Sequence, residues 1–396
     1  MRRSSLAGSL VLLGIILASC SEVQSFPTAS SQGSIGADWR AIGPDRIKVT
    51  ALAISPAYPS DRTLFIGLHG WDLGVFHSTD GGDSWEEVYE GLRGSLDPWV
   101  VVSPDFASDR TLFAGRGNGG VFRSTDGGDS WKKVTRGIPR YEDVGECCGY
   151  YGVSDLVFSP SFTIDSTVYL ATWNGLFRST DRGQTWQNVS QDLTDTWMIQ
   201  VLVSPSFATD DTLFALARNP NWDTGHSLYR STDRGDTWHQ ITQNLGVTWG
   251  FWITTRLVLS PAFGTDGTLY AATLDGLLRS TDRGDNWEMV YSYQGISEGN
   301  FDPWVVVSPS FATDDTLFTS KVCGGVFRST DGGDTWRDVT QQLTVPAITL
   351  SPGYHICDPP GFKSLVFSPS FTTDRTLFVW TEVGIFQLLS FSMIEE

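Results

Sequence analysis

The chain has 396 residues, 40% of them hydrophobic and 13% aromatic, enough apolar surface for a sizeable core. Its 45 acidic residues outweigh 27 basic ones, only five of them lysine; a formal net charge of −18 argues against nucleic acid or anionic lipid as a partner. Sixteen Trp and 41 Gly indicate an all-β chain of short strands and tight turns and exclude a helical enzyme.

Arg2 and Arg3, then the apolar run from Leu10 to Leu17, read as a targeting segment too short to cross a bilayer as a mature helix. It closes on Leu17-Ala18-Ser19-Cys20, which resembles the bacterial lipoprotein box. Residues 1–20 are therefore expected to be a signal peptide and Cys20 the lipidated residue. That implies an extracytoplasmic chain whose contact with a bacterial membrane is the lipid anchor. The Ser-rich stretch 21–37 reads as a flexible tether, and residues 38–396 as one folded unit, expected to be monomeric.

Within that unit two motifs alternate. The first begins at a Ser-Pro pair: Ser55, Ser103, Ser159, Ser204, Ser260, Ser308 and Ser368 open SPAYPSDRTLF, SPDFASDRTLF and their kin, at spacings of 48, 56, 45, 56, 48 and 60 residues. Such a period, with each segment reading as short strands, predicts a seven-bladed β-propeller. Each blade reads as strand a, the apolar run before Ser-Pro; strand b at TLF; strand c at GVFRS or its equivalent; and strand d after a Trp. The seventh blade runs out after strand c, and ADWRAIGPD from residue 37 fits strand d, with Trp39 in the Trp position. The N-terminal strand is thus expected to complete the last blade and close the ring, which removes free sheet edges.

The second motif is the turn between strands c and d, such as GVFRSTDGGDSW at 120–131. Asp80, Asp126, Asp181, Asp233, Asp282 and Asp331 hold its central position in the pattern Ser-x-Asp-x-Gly-x-(Ser/Thr)-Trp, with Asn286 in the Ser/Thr place of blade five. Short polar side chains there can accept backbone N–H bonds, so the six aspartates read as turn scaffold rather than six active sites. The same reading applies to Asp61, Asp109, Asp165 and their equivalents after Ser-Pro, where calcium is the conceivable alternative. These turns resemble the Asp-box, or bacterial neuraminidase, repeat of sialidases, some endo-glucanases, the sortilin ectodomain and photosystem II assembly-factor propellers. The resemblance implies the fold and leaves the function open.

Loop lengths divide the two faces of the disc. The distance from Ser-Pro to TLF is 9 in every blade and from Ser to Trp across each box 7, whereas box Trp to the next Ser-Pro varies as 18, 28, 18, 22, 21 and 32. The d–a and b–c loops therefore form a variable face, where function is expected. It is rich in aromatics, among them Trp71, Tyr141, Tyr150, Tyr151, Trp173, Trp197, Trp222, Trp249, Trp252, Tyr293 and Tyr354, suited to sugars or peptides. Four residues before each Ser-Pro serine, at the expected channel mouth, stand Ala51, Trp99, Asp155, Gln200, Arg256, Trp304 and Ser364.

Trp99, Asp155, Gln200, Arg256, Trp304, Tyr150, Tyr151, Trp222, Trp249 and Trp252 are the candidate ligand residues. The favoured function is a surface-anchored binding propeller for a glycan, peptide or protein. The alternative is a glycoside hydrolase, with Asp97, Asp302 and Asp155 as candidate carboxylates, since such chemistry needs two carboxyls about 5–10 Å apart. A sialidase would want an arginine triad, and Arg116, Arg218 and Arg256 are the face arginines available. No HExxH or paired CxxC occurs, so no metal or cofactor is expected. Of the remaining cysteines, Cys323 and Cys357 are expected to pair, while Cys147 and Cys148 either form a vicinal disulfide or stay free.

Overall fold

A computed structural model describes residues 39–43, 49–68, 74–88, 92, 99–116, 120–139, 152–193, 197–218, 226–245, 256–273, 275–293, 303–321, 325–339, 362–381 and 384–388. They form seven four-stranded antiparallel sheets, each in simple meander order, arranged as a propeller. Blade two shows the plan: Trp99–Val102, Leu112–Arg116, Gly120–Ser124 and Lys132–Lys133 are its strands a to d. First strands of successive blades pack against one another, which places strand a at the centre of the ring. The hydrophobic clusters lie between blades. One joins Phe65 and Val75 of blade one to Val100, Phe106 and Leu112 of blade two.

The last blade closes as expected. Trp39–Ala41 pairs antiparallel with Gly384–Leu388, in the register Trp39 to Leu388 and Ala41 to Phe386. Arg40 strengthens the seam, donating to Gln387 Oε1 at 2.9 Å and to Asp83 Oδ1 of blade one at 2.6 Å.

The box aspartates do the same work in all six turns. Asp126 Oδ1 accepts from Ser124 Oγ at 2.6 Å and from Ser130 N at 3.0 Å, and its Oδ2 accepts from Ser130 Oγ. In blade five Asn286 replaces the hydroxyl and donates through Nδ2 to Asp282 Oδ2 at 2.7 Å. The box Trp reaches further than its own hairpin. Trp85, Trp131, Trp186 and Trp238 each donate Nε1 to a carbonyl just after strand d of the preceding blade, Ile42, Val88, Val134 and Val189, and Trp336 donates to Val290 O within the longer strand d of blade five.

The a–b loops add something the strand reading did not assign. Each holds one turn of helix, such as Phe106–Asp109, whose first aromatic is buried. Asp109 Oδ2 accepts from Ser103 Oγ at 2.8 Å and Oδ1 from Thr111 N at 2.8 Å, and all seven blades repeat this clamp. Both carboxylate oxygens serve the loop, so a scaffold role accounts for these aspartates without an ion. The constant nine-residue spacing follows from that clamp.

Candidate functional site

The inner strands carry the channel-mouth residues on irregular backbone. Register shifts fall between Val49 and Ala51, Val153 and Asp155, Met198 and Gln200, and Phe362 and Ser364. A bulge of this kind re-aims the side chain that follows it. In blades two, five and six strand a begins at the position itself, with Trp99, Arg256 and Trp304.

Three consecutive blades are linked there through side chains. Asp155 accepts from its neighbour Leu156 N at 2.9 Å and, across the blade boundary, from Val201 N at 3.1 Å. Gln200 repeats the step one blade on, accepting from Leu257 N at 2.9 Å and donating to Leu257 O at 3.0 Å. Burial pushes the Asp155 carboxyl above its ordinary range, against the opposing pull of Val201 N–H, the charge of Arg256 and Leu156 N–H. Arg256 itself is exposed. Acid, amide and cation thus stand in order along one arc of the channel mouth.

The two tryptophans of this ring position sit otherwise. Trp304 is 5% exposed and packs with Phe318 and Leu365, inside the wall between blades six and seven. Trp99 lies over Gly115, where any Cβ would run into the indole ring. Both indole Nε1 atoms are buried without a hydrogen-bond partner. Their apolar bulk goes into the wall because the adjoining blades present hydrophobic faces there. As ligand platforms they are less accessible than their ring position suggests.

A more exposed platform lies on the same face, one step outward. Trp173, in the b–c turn of blade three, is 41% exposed, and its ring centroid is 5.0 Å from that of Trp197 at an interplanar angle of 37°. Trp197 opens strand a of blade four and pairs with Arg218, whose guanidinium lies 5.4 Å from the Trp197 ring. Arg218 pairs in turn with His226, which is buried and pushed down to about 4 by burial and then by the charge of Arg218. Gly152 makes room for the stack: its carbonyl accepts from Trp173 N at 2.9 Å, and a Cβ there would strike the indole. Trp173 and Trp197 are visible in the sequence as variable-face aromatics, but their stacking with Arg218 needs strand register, which the sequence alone does not supply.

Other expected site residues fall elsewhere. Tyr293 is buried and hydrogen-bonds Thr319 Oγ1. Asp97, Asp302, Tyr150, Tyr151, Trp222, Trp249, Trp252 and Cys20, Cys147, Cys148, Cys323 and Cys357 lie outside the described residues. Among the described residues no group of three His, Cys, Asp or Glu is placed to hold a metal, and no helix is long and apolar enough to cross a membrane.

No family model matches the chain. A xyloglucanase from Hypocrea jecorina (strain QM6a) is 31% identical over 184 residues, which are 43% of this chain; the chain spans about one fifth (20%) of that relative's length. Among solved structures, YCF48 bound to D1 peptide superposes with a TM-score of 0.56 at 17% identity, covering 92% of this chain and 100% of the other. YCF48 from Cyanidioschyzon merolae gives 0.53 at 14%, covering 89% and 98%. The extracellular domain of a hybrid two-component system from B. thetaiotaomicron gives 0.55 at 10%, covering 86% of this chain and 40% of that one. At these identities the structural likeness is one of fold.

Proposed function

We propose that this chain is a non-catalytic binding propeller, which holds a glycan or an extended peptide on its variable face over blades three to five. The observation that carries this reading is the Trp173–Trp197–Arg218 stack beside the Asp155–Gln200–Arg256 arc. Flat aromatic faces hold sugar rings or peptide side chains, and a guanidinium held against one of them supplies a directional donor. The peptide named with the YCF48 structure and the sequence likeness to a xyloglucanase each support one class of ligand for such a face. Cys20 lipidation would fasten the propeller to a membrane surface, and loss of radiolabelled palmitate incorporation in Cys20→Ala tests that.

The main test is titration of the purified chain with xyloglucan oligosaccharides and with a panel of unstructured peptides, beside Trp173→Ala and Arg218→Gln. Loss of one stacked aromatic is expected to weaken binding roughly 10-fold or more, from about 1–3 kcal/mol of contact. Equal affinity of wild type and both variants for every ligand bound would remove this site from consideration.

The glycoside hydrolase reading remains a second proposal on the strength of the xyloglucanase likeness. Asp155 is a poor carboxylate for it, because both oxygens accept backbone N–H bonds. Asp97 and Asp302 are the pair to test: product release by wild type and not by Asp97→Asn/Asp302→Asn would establish catalysis and its carboxylates.

A further inference from the structure

At the outer rim, successive blades are joined by a repeated ion pair. A strand-c arginine reaches the aspartate that follows Gly in the next blade's box: Arg178 to Asp236 at 2.8 Å, Arg230 to Asp285 at 3.0 Å and Arg279 to Asp334 at 2.8 Å. At the closing seam Arg40, on strand d, reaches Asp83 of the first box at 2.6 Å. Five of the six boxes carry Asp at this place, and the third carries Gln184. Arg123 of blade two, which faces that box, is thereby denied the carboxylate its counterparts use.

The exception coincides with two others. Strand d of blade two is Lys132–Lys133, where blades one, three, four, five and six place Glu86–Glu87, Gln187–Asn188, His239–Gln240, Glu288–Met289 and Arg337–Asp338. Arg136 follows immediately. Together Arg123, Lys132, Lys133, Arg136, Thr125 and Gln184 line an open cleft of about 650 Å³, floored by Val134 and Ile138. Among the described residues, three cations, Arg123, Lys132 and Arg136, line it on this side and no carboxylate does, in a chain of net charge −18; Lys133 alternates to the other face of the sheet, its Nζ 5.8 Å from the Phe122 ring. The carboxylates whose field reaches Arg123, Asp109 and Asp181, are engaged in their own turns by Ser103 and Thr111 and by Ser179 and Thr185. Lysines on an edge strand also guard against edge-to-edge pairing. That role accounts for Lys132 and Lys133, but not for Arg136 or for the loss of the box aspartate.

We propose that this rim cleft between blades two and three is a binding site for a tetrahedral oxyanion, a phosphate or sulfate group carried free or on a larger molecule. A dianion matches three neighbouring cations better than a single carboxylate does. Arg123 supplies a planar fork for two oxygens, Lys132 supplies a point charge, and Thr125 and Gln184 supply neutral hydrogen-bonding groups. Among the described residues no aromatic lines the cleft, so recognition rests on charge and is expected to weaken as salt rises. The site is separate from the variable face and stands whether or not the reading of that face holds.

The test is calorimetric titration of the full purified chain with inorganic phosphate and with sulfate, against sodium chloride at equal ionic strength. Gln184→Asp is the decisive variant, since Asp occupies that place in the five other boxes and the fold accepts it there. It should preserve the unfolding midpoint and weaken phosphate affinity at least 10-fold, and Lys132→Gln should do the same. Vesicles of phosphatidylcholine with and without phosphatidic acid separate the sources: tighter capture of the acidic vesicles assigns the site to a headgroup, and equal capture assigns it to the free ion. Absence of saturable phosphate or sulfate binding by the wild type, or undiminished binding by Gln184→Asp, would overturn the proposal.

Discussion

In blades one to five, a swap between glycine and arginine keeps one spot filled. The residue after the box aspartate has positive φ in all six turns. It is Gly81, Gly127 and Gly332 in three boxes and Arg182, Arg234 and Arg283 (φ 63, 63 and 64) in the others. An arginine in that conformation costs of order 1 kcal/mol, and each one lays its guanidinium over the buried Phe of its own blade, Arg182 on Phe162 at 5.5 Å and Arg234 on Phe207 at 5.3 Å. In blades one and two the cation comes instead from the helix C-cap: Arg62 and Arg110 donate to Asp80 O and Asp126 O across the glycine. A Cβ on Gly127 would meet the Arg110 guanidinium. Gly127→Arg alone should therefore destabilise, by roughly 1–3 kcal/mol, and Arg110→Ser added to it should recover most of that loss. Denaturant melts of the two singles and the double give the coupling energy, and simple additivity would refute the account.

At the scale of the strand and the turn, the sequence was most informative where one job is repeated. Seven Ser-Pro motifs, six boxes and the N-terminal Trp39 made the blade count, the strand order and the closing strand legible, because the same hydrogen bonds recur at fixed spacing. The helical turn in each a–b loop was not legible: four residues are too few to show a helical period, and the clamp that holds them depends on where one Asp side chain points, toward Ser103 and Thr111 in blade two. The site was legible only in outline. Variable-face aromatics could be named from loop lengths, but burial divided them, sending Trp304 and Tyr293 into the wall and leaving Trp173 exposed. Strand d of the last blade gives the element-scale prediction. Removal of residues 1–41 would leave Gly384–Leu388 as an open edge, paired only with Leu377–Thr381, and strip Trp85 Nε1 of its acceptor, Ile42 O at 2.5 Å, once Ile42 loses its own pairing. The unfolding midpoint should fall by more than about 5 °C, with concentration-dependent aggregation from the new edge, both measured by scanning calorimetry and light scattering.

For the whole molecule, acid should be the condition that undoes the ring. Hydrogen bonds from Asn286 and Ser280 hold Asp282 down to about 2. At Asp331 partial burial pushes upward, and the bonds from Thr335 and Ser329 outweigh it to give about 2. Asp80, Asp126, Asp181 and Asp233 are lowered in the same way. A carboxyl depressed in the folded state contributes stability that is present above its ordinary value near 4 and is lost as pH falls toward 2. Buried His226 adds an earlier limb, since its descent from 6.5 to about 4 means stability declines as pH falls through that interval. Thermal midpoints across pH 7 to 2 should therefore drop in two stages, and His226→Gln should remove the first and leave the second.

The ring closure also fixes the side of the disc on which the first strand begins. Trp39 pairs with Leu388, the last residue of its neighbouring strand, so the chain enters the propeller on the side of the box turns. Trp39 therefore stands at the rim of the uniform face, while the stacked tryptophans of blades three and four lie on the opposite one, at a b–c turn and the start of a strand a.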